Sequence, residues 1–421
     1  MATLWQYPYA GPASAIENAC ALIFYREDER GVPTISDVHV ENERDRSTGA
    51  LEITHFRAAS AEHQDVERAL LAEGICLPMR HRAAAIYAHR ESGLFVAVRN
   101  SRQWMGGVFV QQKRLRILPG YSVWRIDNLG DAMPANVREP VLRYILELVR
   151  QNPRVLRFNI GLFSRDSSLR SELGSVLDSL GFAKTEANTY TRTIALDLRP
   201  TEAELLSSFS SSVRKRLKEF ARIKIPVSIQ RITDASLAPR MNELMKQTMA
   251  RTGGRFTPVD WERRIALAES NPGLCRIVGV IHGEMTGDEK LVAFVYGCHH
   301  GRHAQYSDGA SVRQLGRLPL MYPLLWDLIR WARDTGAQWF DMGGVTAGSF
   351  GDGQDALGGI SDFKRRFSDD VVDVAEEWVF EPTSLIATVA IRLNRLLHTV
   401  RDSDLFAKRA GPAITGSAVT S

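Results

Sequence analysis

Apolar residues recur along this chain in two patterns from about residue 51 onwards. Short runs of valine, isoleucine, phenylalanine and leucine are typical of strands, whereas apolar residues three and four positions apart are typical of amphipathic helices. The clearest helical stretch lies between Leu318 and Gly336, and the glycine predicts its end. A short apolar strand follows at Trp339. The adjacent glycines Gly343 and Gly344 then allow another backbone or a ligand to approach closely.

The patterns predict strands and helices in a repeated order. In the first half, we predict strands at 51–56, 94–99, 107–111, 155–160 and 189–198 and helices at 65–73, 136–151 and 167–180. In the second half, we predict helices at 201–223, 237–251, 258–270 and 318–336 and strands at 227–232, 274–281, 291–299, 303–308 and from 339. Thr201 and Glu204 have the spacing of a capping box, which marks a helix start. The three consecutive strands between residues 274 and 308 indicate an antiparallel meander.

The near-repeat of this order predicts two copies of one α/β domain, each with a mixed sheet. We place the first domain at residues 49–195 and the second at 196–384. Residues 1–48 lack sustained periodicity and are interpreted as an extension packed on the first domain. Residues 385–421 combine an amphipathic helix, which we expect to dock on its own domain, with a small, polar tail expected to be disordered.

Composition excludes several classes of protein. A chain of 421 residues with 44% hydrophobic and 24% charged residues is typical of a soluble protein with more than one domain. No apolar run approaches the roughly 20 residues of a membrane span. The N-terminus carries no basic stretch followed by an apolar one, so no secretory signal is predicted. The four cysteines are far apart and are interpreted as reduced thiols of a cytoplasmic protein.

The distribution of charge is more informative than the net charge of +4. Two clusters of basic residues stand out: Arg214, Lys215, Arg216, Lys218, Arg222 and Lys224, and then Lys364, Arg365 and Arg366. Such patches can follow a phosphate backbone. A solvated helix face would have the same composition, so the pattern alone leaves both interpretations open.

Three segments, Ser212–Lys218, Trp339–Gly344 and Gly358–Phe367, together resemble the FemABX group of aminoacyltransferases, most clearly between Leu196 and Glu381. The resemblance implies two tandem GNAT-like α/β domains. It also implies an acyltransferase that forms an amide bond by moving an aminoacyl group from aminoacyl-tRNA to an amine. The charged tRNA would be the co-substrate, and no other cofactor is implied. The implied acceptor is a peptidoglycan precursor or a natural-product intermediate.

The resemblance also implies site residues. The pair Phe363 and Lys364 matches a Phe-Lys pair of the family near the reaction region, and a lysine cation there would stabilise a tetrahedral oxyanion. An alternative is that Lys364 is a surface partner of Asp362 or Asp369. The implied tRNA contacts are Arg214, Lys215, Arg216, Lys218, Arg365 and Arg366.

Acceptor contacts are implied at the end of a helix. Arg251 and Arg255 match the arginine-containing helix end that meets phosphate in the family, and an arginine fork suits a diphosphate. An arginine near a helix C-terminus also interacts with the helix dipole, which explains its presence equally well. Tyr306 and Asp308 alternate along one predicted strand, so we expect them to share a face. In the family this strand lines the acceptor cleft, where Asp308 would accept a proton and Tyr306 would position the amine. Both are equally consistent with sheet surface.

A CoA-dependent N-acyltransferase is the main alternative. GNAT domains hold the CoA pyrophosphate with a glycine-containing loop at a helix start, and Arg313–Leu318 lies at the matching place. Leu318 would crowd the loop and Pro319 removes an N–H donor, so both oppose CoA binding. A nucleic-acid-binding protein that retains only the scaffold is a third possibility. No metal site is predicted, because the neighbouring His299 and His300 point to opposite faces of a strand.

Overall fold

The computed structural model describes residues 51–115, 118–130, 133–251, 256–312, 315, 318–349, 358–382 and 389. The predicted extension over residues 1–48, nearly all of the predicted segment 385–421, and Arg255 lie outside the described residues. Within the described ranges, none of the helices combines the length and apolar character that a bilayer crossing requires.

The predicted strands and helices are present, and the structure adds several short elements and one longer strand, at Ser122–Leu129, that the sequence did not predict. The strands are β1 (Glu52–Arg57), β2 (Gly93–Arg99), β3 (Trp104–Arg114), β4 (Ser122–Leu129), β5 (Val155–Phe163), β6 (Ala183–Thr185), β7 (Arg192–Asp197), β8 (Val227–Arg231), β9 (Cys275–His282), β10 (Leu291–His299), β11 (His303–Ser311), β12 (Trp339–Gly344), β13 (Val371–Asp373) and β14 (Ala375–Phe380). The helices are α1 (Ala61–Ala72), α2 (Ala83–Ala88), α3 (Ala135–Gln151), α4 (Ser167–Ser179), α5 (Glu202–Ser208), α6 (Ser211–Ala221), α7 (Ala238–Arg251), α8 (Trp261–Ser270), α9 (Met321–Asp334) and α10 (Gly358–Arg365). Short 3₁₀ turns lie at Met79–His81 and Ala235–Leu237.

The strands form two seven-stranded sheets. The first has the order β1-β2-β3-β4-β5-β14-β6, and the second has the order β13-β7-β12-β11-β10-β9-β8. Neighbouring strands are antiparallel except for two parallel pairs, β4 with β5 and β11 with β12. A helix, α3 or α9, connects the strands of each parallel pair, as parallel pairing requires. The predicted mixed α/β architecture and the antiparallel meander of β9, β10 and β11 are therefore confirmed.

The two sheets exchange strands. β7 follows the elements of the first sheet along the chain but pairs with β12 and β13 in the second, whereas β14 near the end of the described chain pairs with β5 and β6 in the first. The predicted division at residues 195 and 196 falls inside β7. That division remains a prediction. The first residues of β7 precede residue 196 but belong to the second sheet, and β14 follows residue 196 but belongs to the first.

Apolar side chains explain this exchange. Ile194 and Leu196 of β7 are buried in the core beneath α9, and Trp378 of β14 is buried in the core beneath α3 and α4. A third core lies on the other face of the second sheet and includes Met79 and Ala85 from the first half of the chain. Separating the halves would expose apolar surface on both, at about 25 cal/mol for each Å².

One predicted helix is divided in the structure. Residues 201–223 form two helices, α5 and α6, because the chain is extended at Phe209 and Ser210. Phe209 is buried in the second core, and the Ser210 side chain accepts a hydrogen bond from the Val213 N–H as the N-cap of α6. The capping box of Thr201 and Glu204 is confirmed at the start of α5. The break gives the basic helix α6 its own direction.

Candidate active site between two diverging strands

The second sheet opens between β11 and β12. These parallel strands pair only at three positions, the last of which joins Gln305 to Asp341. In the first sheet, the corresponding pairing of β4 with β5 extends over the length of β4, as far as Leu129 opposite Leu162. The divergence leaves backbone groups of β11 and β12 available to side chains from elsewhere in the fold.

Lys364 from α10 enters this opening. Its Nζ donates a hydrogen bond to the Gly344 carbonyl of β12 at 2.7 Å and lies 5.9 Å from the ring centroid of Tyr306 on β11. The side chain is buried, with Lys364 only 2% exposed. Asp362 pairs instead with Arg365. The interpretation of Lys364 as a surface partner of Asp362 or Asp369 is therefore wrong, because its ammonium group lies between two strands.

A buried carboxylate lies at the mouth of the same opening. Asp341 Oδ1 accepts hydrogen bonds from the Thr193 hydroxyl and, at 2.8 Å, from the Gly343 N–H. Its Oδ2 accepts one from the Tyr190 hydroxyl. Gly343 has a φ of 76°, a conformation that glycine adopts without strain. The carboxylate thereby fixes the turn that presents the Gly344 carbonyl to Lys364.

Burial and the charge of Asp341 shift the pKa of Lys364 in opposite directions. Burial lowers the pKa of this lysine to about 8, and the nearby Asp341 carboxylate limits the decrease. Burial also raises the pKa of Asp341, while the hydrogen bonds from Thr193 and Tyr190 oppose that increase. At neutral pH, Lys364 is consequently mostly a cation that can lose its proton only slightly above the physiological range.

Phe363 contributes to the packing that holds Lys364. Its ring contacts Tyr322 of α9 edge-to-face, with the ring centroids 4.9 Å apart, and also packs against Phe367. The Tyr322 hydroxyl accepts a hydrogen bond from Arg366 at 2.8 Å. Helix α10 is thus attached to the start of α9 by aromatic contacts, so the direction of the Lys364 side chain is set by the core.

Tyr306 and Asp308 do not share a face, so the prediction that they do is wrong. Tyr306 lies opposite Gly297 of β10, but Asp308 lies opposite the adjacent Tyr296, because Ser307 forms a bulge. Residues opposite consecutive positions point to opposite sides of the sheet. Tyr306 faces the opening that holds Lys364, and Asp308 faces α8.

Asp308 is engaged on that other side. Its Oδ2 accepts a hydrogen bond from Arg264 Nη1 of α8 at 2.7 Å, and both residues are buried. The guanidinium lies 5.1 Å and 5.0 Å from the ring centroids of Trp261 and Tyr296. Burial raises the pKa of Asp308 to about 6, although Arg264 opposes the increase. The structure therefore separates Asp308 from Lys364 and pairs it with Arg264.

The basic helix α6 presents a recess at the surface. The recess has a volume of about 420 Å³ and is lined by Ser211, Arg214, Lys215, Lys218, Glu219 and Arg222. Arg214 donates to the carbonyls of Ser207 and Phe209, and so closes the end of α5. The predicted contacts Arg216 and Lys215 lie near Glu219, at 2.9 Å and 3.9 Å.

The second basic cluster is less accessible to a phosphate backbone than its composition indicates. Arg365 donates hydrogen bonds to the carbonyls of Gly348 and Thr346 and pairs with Asp362 at 2.9 Å. Lys364 is buried, whereas Arg366 is exposed and holds Tyr322. Of the two basic clusters, α6 and its C-cap therefore present more exposed positive charge, at Lys215, Lys218 and Arg222.

The predicted acceptor contacts are described only in part. Arg251 is exposed at the end of α7 and donates a weak hydrogen bond to the Thr248 hydroxyl at 3.4 Å. Helix α7 packs on β10 and β11, with Met241 and Met245 in the same core as Tyr296. Arg255 lies outside the described residues. The role of both arginines stays a prediction.

The described part of the predicted CoA loop is a poor fit to a pyrophosphate. Leu315 and Leu318 pack against the second core, while Arg313, Gln314, Gly316 and Arg317 lie outside the described residues. Pro319 precedes α9 and Pro323 lies in its first turn, so neither supplies an N–H. The start of α9 therefore offers fewer backbone donors than an anion-binding helix end normally does.

Sequence reasoning did not identify Asp341 or its partners. The signal was present, since Asp341 is the one charged residue in the apolar run that ends at Gly343 and Gly344. A carboxylate at that position of a buried strand requires several donors. Its donors Tyr190 and Thr193 are about 150 residues away along the chain, which periodicity cannot reveal.

Two kinds of comparison bear on the family. Residues 207–365 match the protein family described as acetyltransferase (GNAT) domain. No curated protein matches the sequence of this chain.

Among the described residues, no group of three or more histidine, cysteine, aspartate or glutamate side chains is arranged to hold a metal ion.

Solved structures with low sequence identity resemble large parts of this chain. The crystal structure of FemX matches with a TM-score of 0.57 and 14% identity, covering 70% of this chain and 89% of FemX. A tandem GNAT protein from the clavulanic acid biosynthesis pathway matches with a TM-score of 0.45 and 14% identity, covering 79% of this chain and 100% of that one. The C-terminal domain of a putative lysylphosphatidylglycerol synthetase from Agrobacterium fabrum has the same TM-score and identity and covers 79% and 96%. The chain therefore has the fold of FemX, as its FemABX-like segments predict, with two GNAT-like mixed sheets, and residues 207–365 match a GNAT-type acyltransferase domain.

Proposed function

We propose that this protein is an aminoacyltransferase that moves an aminoacyl group from aminoacyl-tRNA to an amine, with Lys364 as the catalytic cation. The observation that carries the proposal is the position of Lys364, a buried ammonium group held between the diverging strands β11 and β12 of a GNAT-type domain. The exposed basic face of α6 supports tRNA as the donor.

The chemistry assigns a role to each group. The free amine of the acceptor attacks the ester carbonyl, forming a C–N bond and a tetrahedral oxyanion. Collapse of this intermediate breaks the ester C–O bond, and the ribose oxygen of the tRNA leaves with the proton that the amine loses. Lys364, held by the Gly344 carbonyl, stabilises the oxyanion in surroundings of low dielectric constant, where a cation is most effective.

The tRNA proposal is tested by removing charge from α6. Replacing Lys215, Lys218 and Arg222 together by glutamine is expected to weaken binding to bulk aminoacylated tRNA. It should also reduce the slope of log affinity against log salt by about 0.7 to 0.9 for each phosphate that the variant no longer neutralises. Filter binding across a salt series measures both.

A matched variant removes the same charge elsewhere. Arg102, Arg154 and Lys246 are also exposed, and their replacement by glutamine is expected to leave the salt slope within error of that of the wild type. Equal losses of affinity in the two variants would mean that tRNA binding depends only on the net charge of the protein. Wild-type affinity in the α6 variant would remove this helix from the proposal.

The acceptor prediction is tested at Arg251. Arg251→Ala is expected to raise KM for the acceptor about 10-fold, equivalent to about 1.4 kcal/mol, while kcat stays within about twofold. This result would follow if the exposed guanidinium binds an anionic part of the acceptor. Steady-state kinetics at saturating aminoacyl-tRNA measures the change. An unchanged KM would exclude an energetic contribution of Arg251 to acceptor binding.

A CoA-dependent N-acyltransferase is the alternative, favoured by the match of residues 207–365 to a GNAT acetyltransferase domain. Leu318, Pro319 and Pro323 at the start of α9 oppose it. Calorimetry with acetyl-CoA, run beside the tRNA measurement, distinguishes the two. Heat from CoA without retention of tRNA would favour the alternative.

A further inference from the structure

A row of hydrogen-bonded side chains leads from the first half of the chain to Asp341. Asn128 at the end of β4 approaches His300 Nδ1 with its side-chain nitrogen at 3.3 Å, and His300 Nε2 lies 3.2 Å from Gln305 Oε1. Gln305 then donates to the Tyr190 hydroxyl, which donates to Asp341 Oδ2. The row spans both sheets and ends beside the opening that holds Lys364.

The donors in this row all point the same way. The Asn128 amide and the Gln305 amide each donate toward Asp341, which requires that His300 accept at Nδ1 and donate from Nε2. This tautomer is an inference from the partners. Burial lowers the pKa of His300 well below its usual value, so the ring is neutral, as the arrangement requires. Aligned donors polarise one another and stabilise the carboxylate at the end.

The other titratable groups near the row leave this arrangement intact above about pH 5. Burial lowers the pKa of His299 to about 4 and that of His303 to about 3, so both rings are neutral. Arg80, from the first half, is the charged group near His300. Around Asp341 itself lie the hydroxyls of Tyr190 and Thr193 and the Lys364 ammonium, with Tyr306 beside the lysine.

We propose that Asp341, oriented by this row, is a positioning residue that fixes the Gly344 carbonyl beside Lys364 and supplies the negative charge that keeps Lys364 a cation. The proposal rests on the proposed function, in which Lys364 stabilises the oxyanion. It extends that function by giving the first half of the chain a part in the site, since Asn128 begins the row that holds Asp341.

The decisive measurement is the titration of Lys364 itself, which requires no activity. Lysine-labelled protein would be titrated by NMR, and the Lys364 signal assigned by its loss in Lys364→Met. The wild-type midpoint is expected near pH 8. In Asp341→Asn it is expected to fall by about one unit, because the opposite charge is gone. The alkaline limb of the pH profile of transfer should move by the same amount.

A second variant keeps the test decisive if Asp341→Asn does not fold. Asp341→Ser also removes the negative charge beside Lys364, with a smaller side chain, so the midpoint should fall by a similar amount. Asp178→Asn and Asp178→Ser, at an exposed position, are the matched controls and should leave the midpoint unchanged.

The outcomes separate this inference from the proposed function. An unchanged Lys364 midpoint in whichever of the two variants folds would overturn the role of Asp341. A shifted midpoint in a protein that shows no transfer from aminoacyl-tRNA would support the role of Asp341 and reject the proposed reaction.

Discussion

Replacing Lys364 by methionine is expected to lower the rate of aminoacyl transfer about 100-fold or more, while raising the free energy of unfolding at pH 7 by roughly 1 to 2 kcal/mol. The loss of rate follows from removing the cation that lies between β11 and β12 and is held by the Gly344 carbonyl. Because the charge acts on the transition state, kcat should fall more than KM for either substrate changes.

The gain in stability follows from burial. The native state holds Lys364 with a pKa lowered from 10.5 to about 8, so at neutral pH folding must bury a charge that water would solvate better. Methionine fills a similar volume without that charge. The Gly344 carbonyl loses its hydrogen bond, which costs about 1 kcal/mol and leaves the smaller net gain.

The pH dependence of this gain in stability tests whether it arises from the buried charge of Lys364. Between the native pKa of about 8 and the unfolded value of 10.5, the unfolded wild type binds more protons than the native state. Wild-type stability therefore rises with pH across this range, and the advantage of Lys364→Met should narrow and end near its upper limit. Urea denaturation at a series of pH values measures this.

An exposed lysine provides the control. Lys246→Met on α7 removes the same charge from the surface and is expected to change stability by less than about 0.5 kcal/mol and leave transfer unchanged. A destabilised Lys364→Met with intact transfer would contradict both expectations and would make Lys364 a structural residue.

The sequence predicted the fold well because the fold depends on periodicity. The meander of β9, β10 and β11 and the crossovers α3 and α9 have long, regular apolar patterns, and each was located to within a few residues. β4 was missed, since Arg125 and Asp127 interrupt its apolar residues. They are tolerated because Arg125 pairs with Asp127 and with Glu377 of β14, a partner about 250 residues away.

The candidate site was predicted less completely, because its parts meet only in three dimensions. Lys364 was identified because the chain resembles a known family. The burial of this lysine between β11 and β12 was not predicted. The face of Asp308 was mispredicted because alternation assumes a regular strand, and one bulged residue, Ser307, reverses every side chain after it. Periodicity also gave no indication that Tyr190 and Gln305 meet at Asp341.

The second large expected effect concerns the stability of the buried ion pair that Asp308 forms with Arg264. Asp308→Leu and Arg264→Met are each expected to reduce the free energy of unfolding by about 3 to 5 kcal/mol, because either change leaves the opposite charge buried without its partner. The double variant Asp308→Leu with Arg264→Met removes both charges and is expected to be close to the wild type in stability. The raised pKa of Asp308 supports this, since it means that the attraction of Arg264 does not fully offset the burial of the carboxylate. Urea denaturation of both single variants and the double variant at pH 7 measures the coupling.

An exposed ion pair and the activity of the double variant complete this test. Glu139 and Arg143 form an exposed i,i+4 pair on α3, and their joint replacement by alanine should change stability by less than about 1 kcal/mol. If Asp308 and Arg264 are purely structural, the double variant will retain transfer within a few-fold of the wild type. A folded double variant that has lost transfer, with the alkaline limb of its pH profile unchanged, would return Asp308 to the reaction as a proton acceptor. The acceptor amine would then have to reach the face of the second sheet opposite Lys364, because the bulge at Ser307 turns Asp308 to that face.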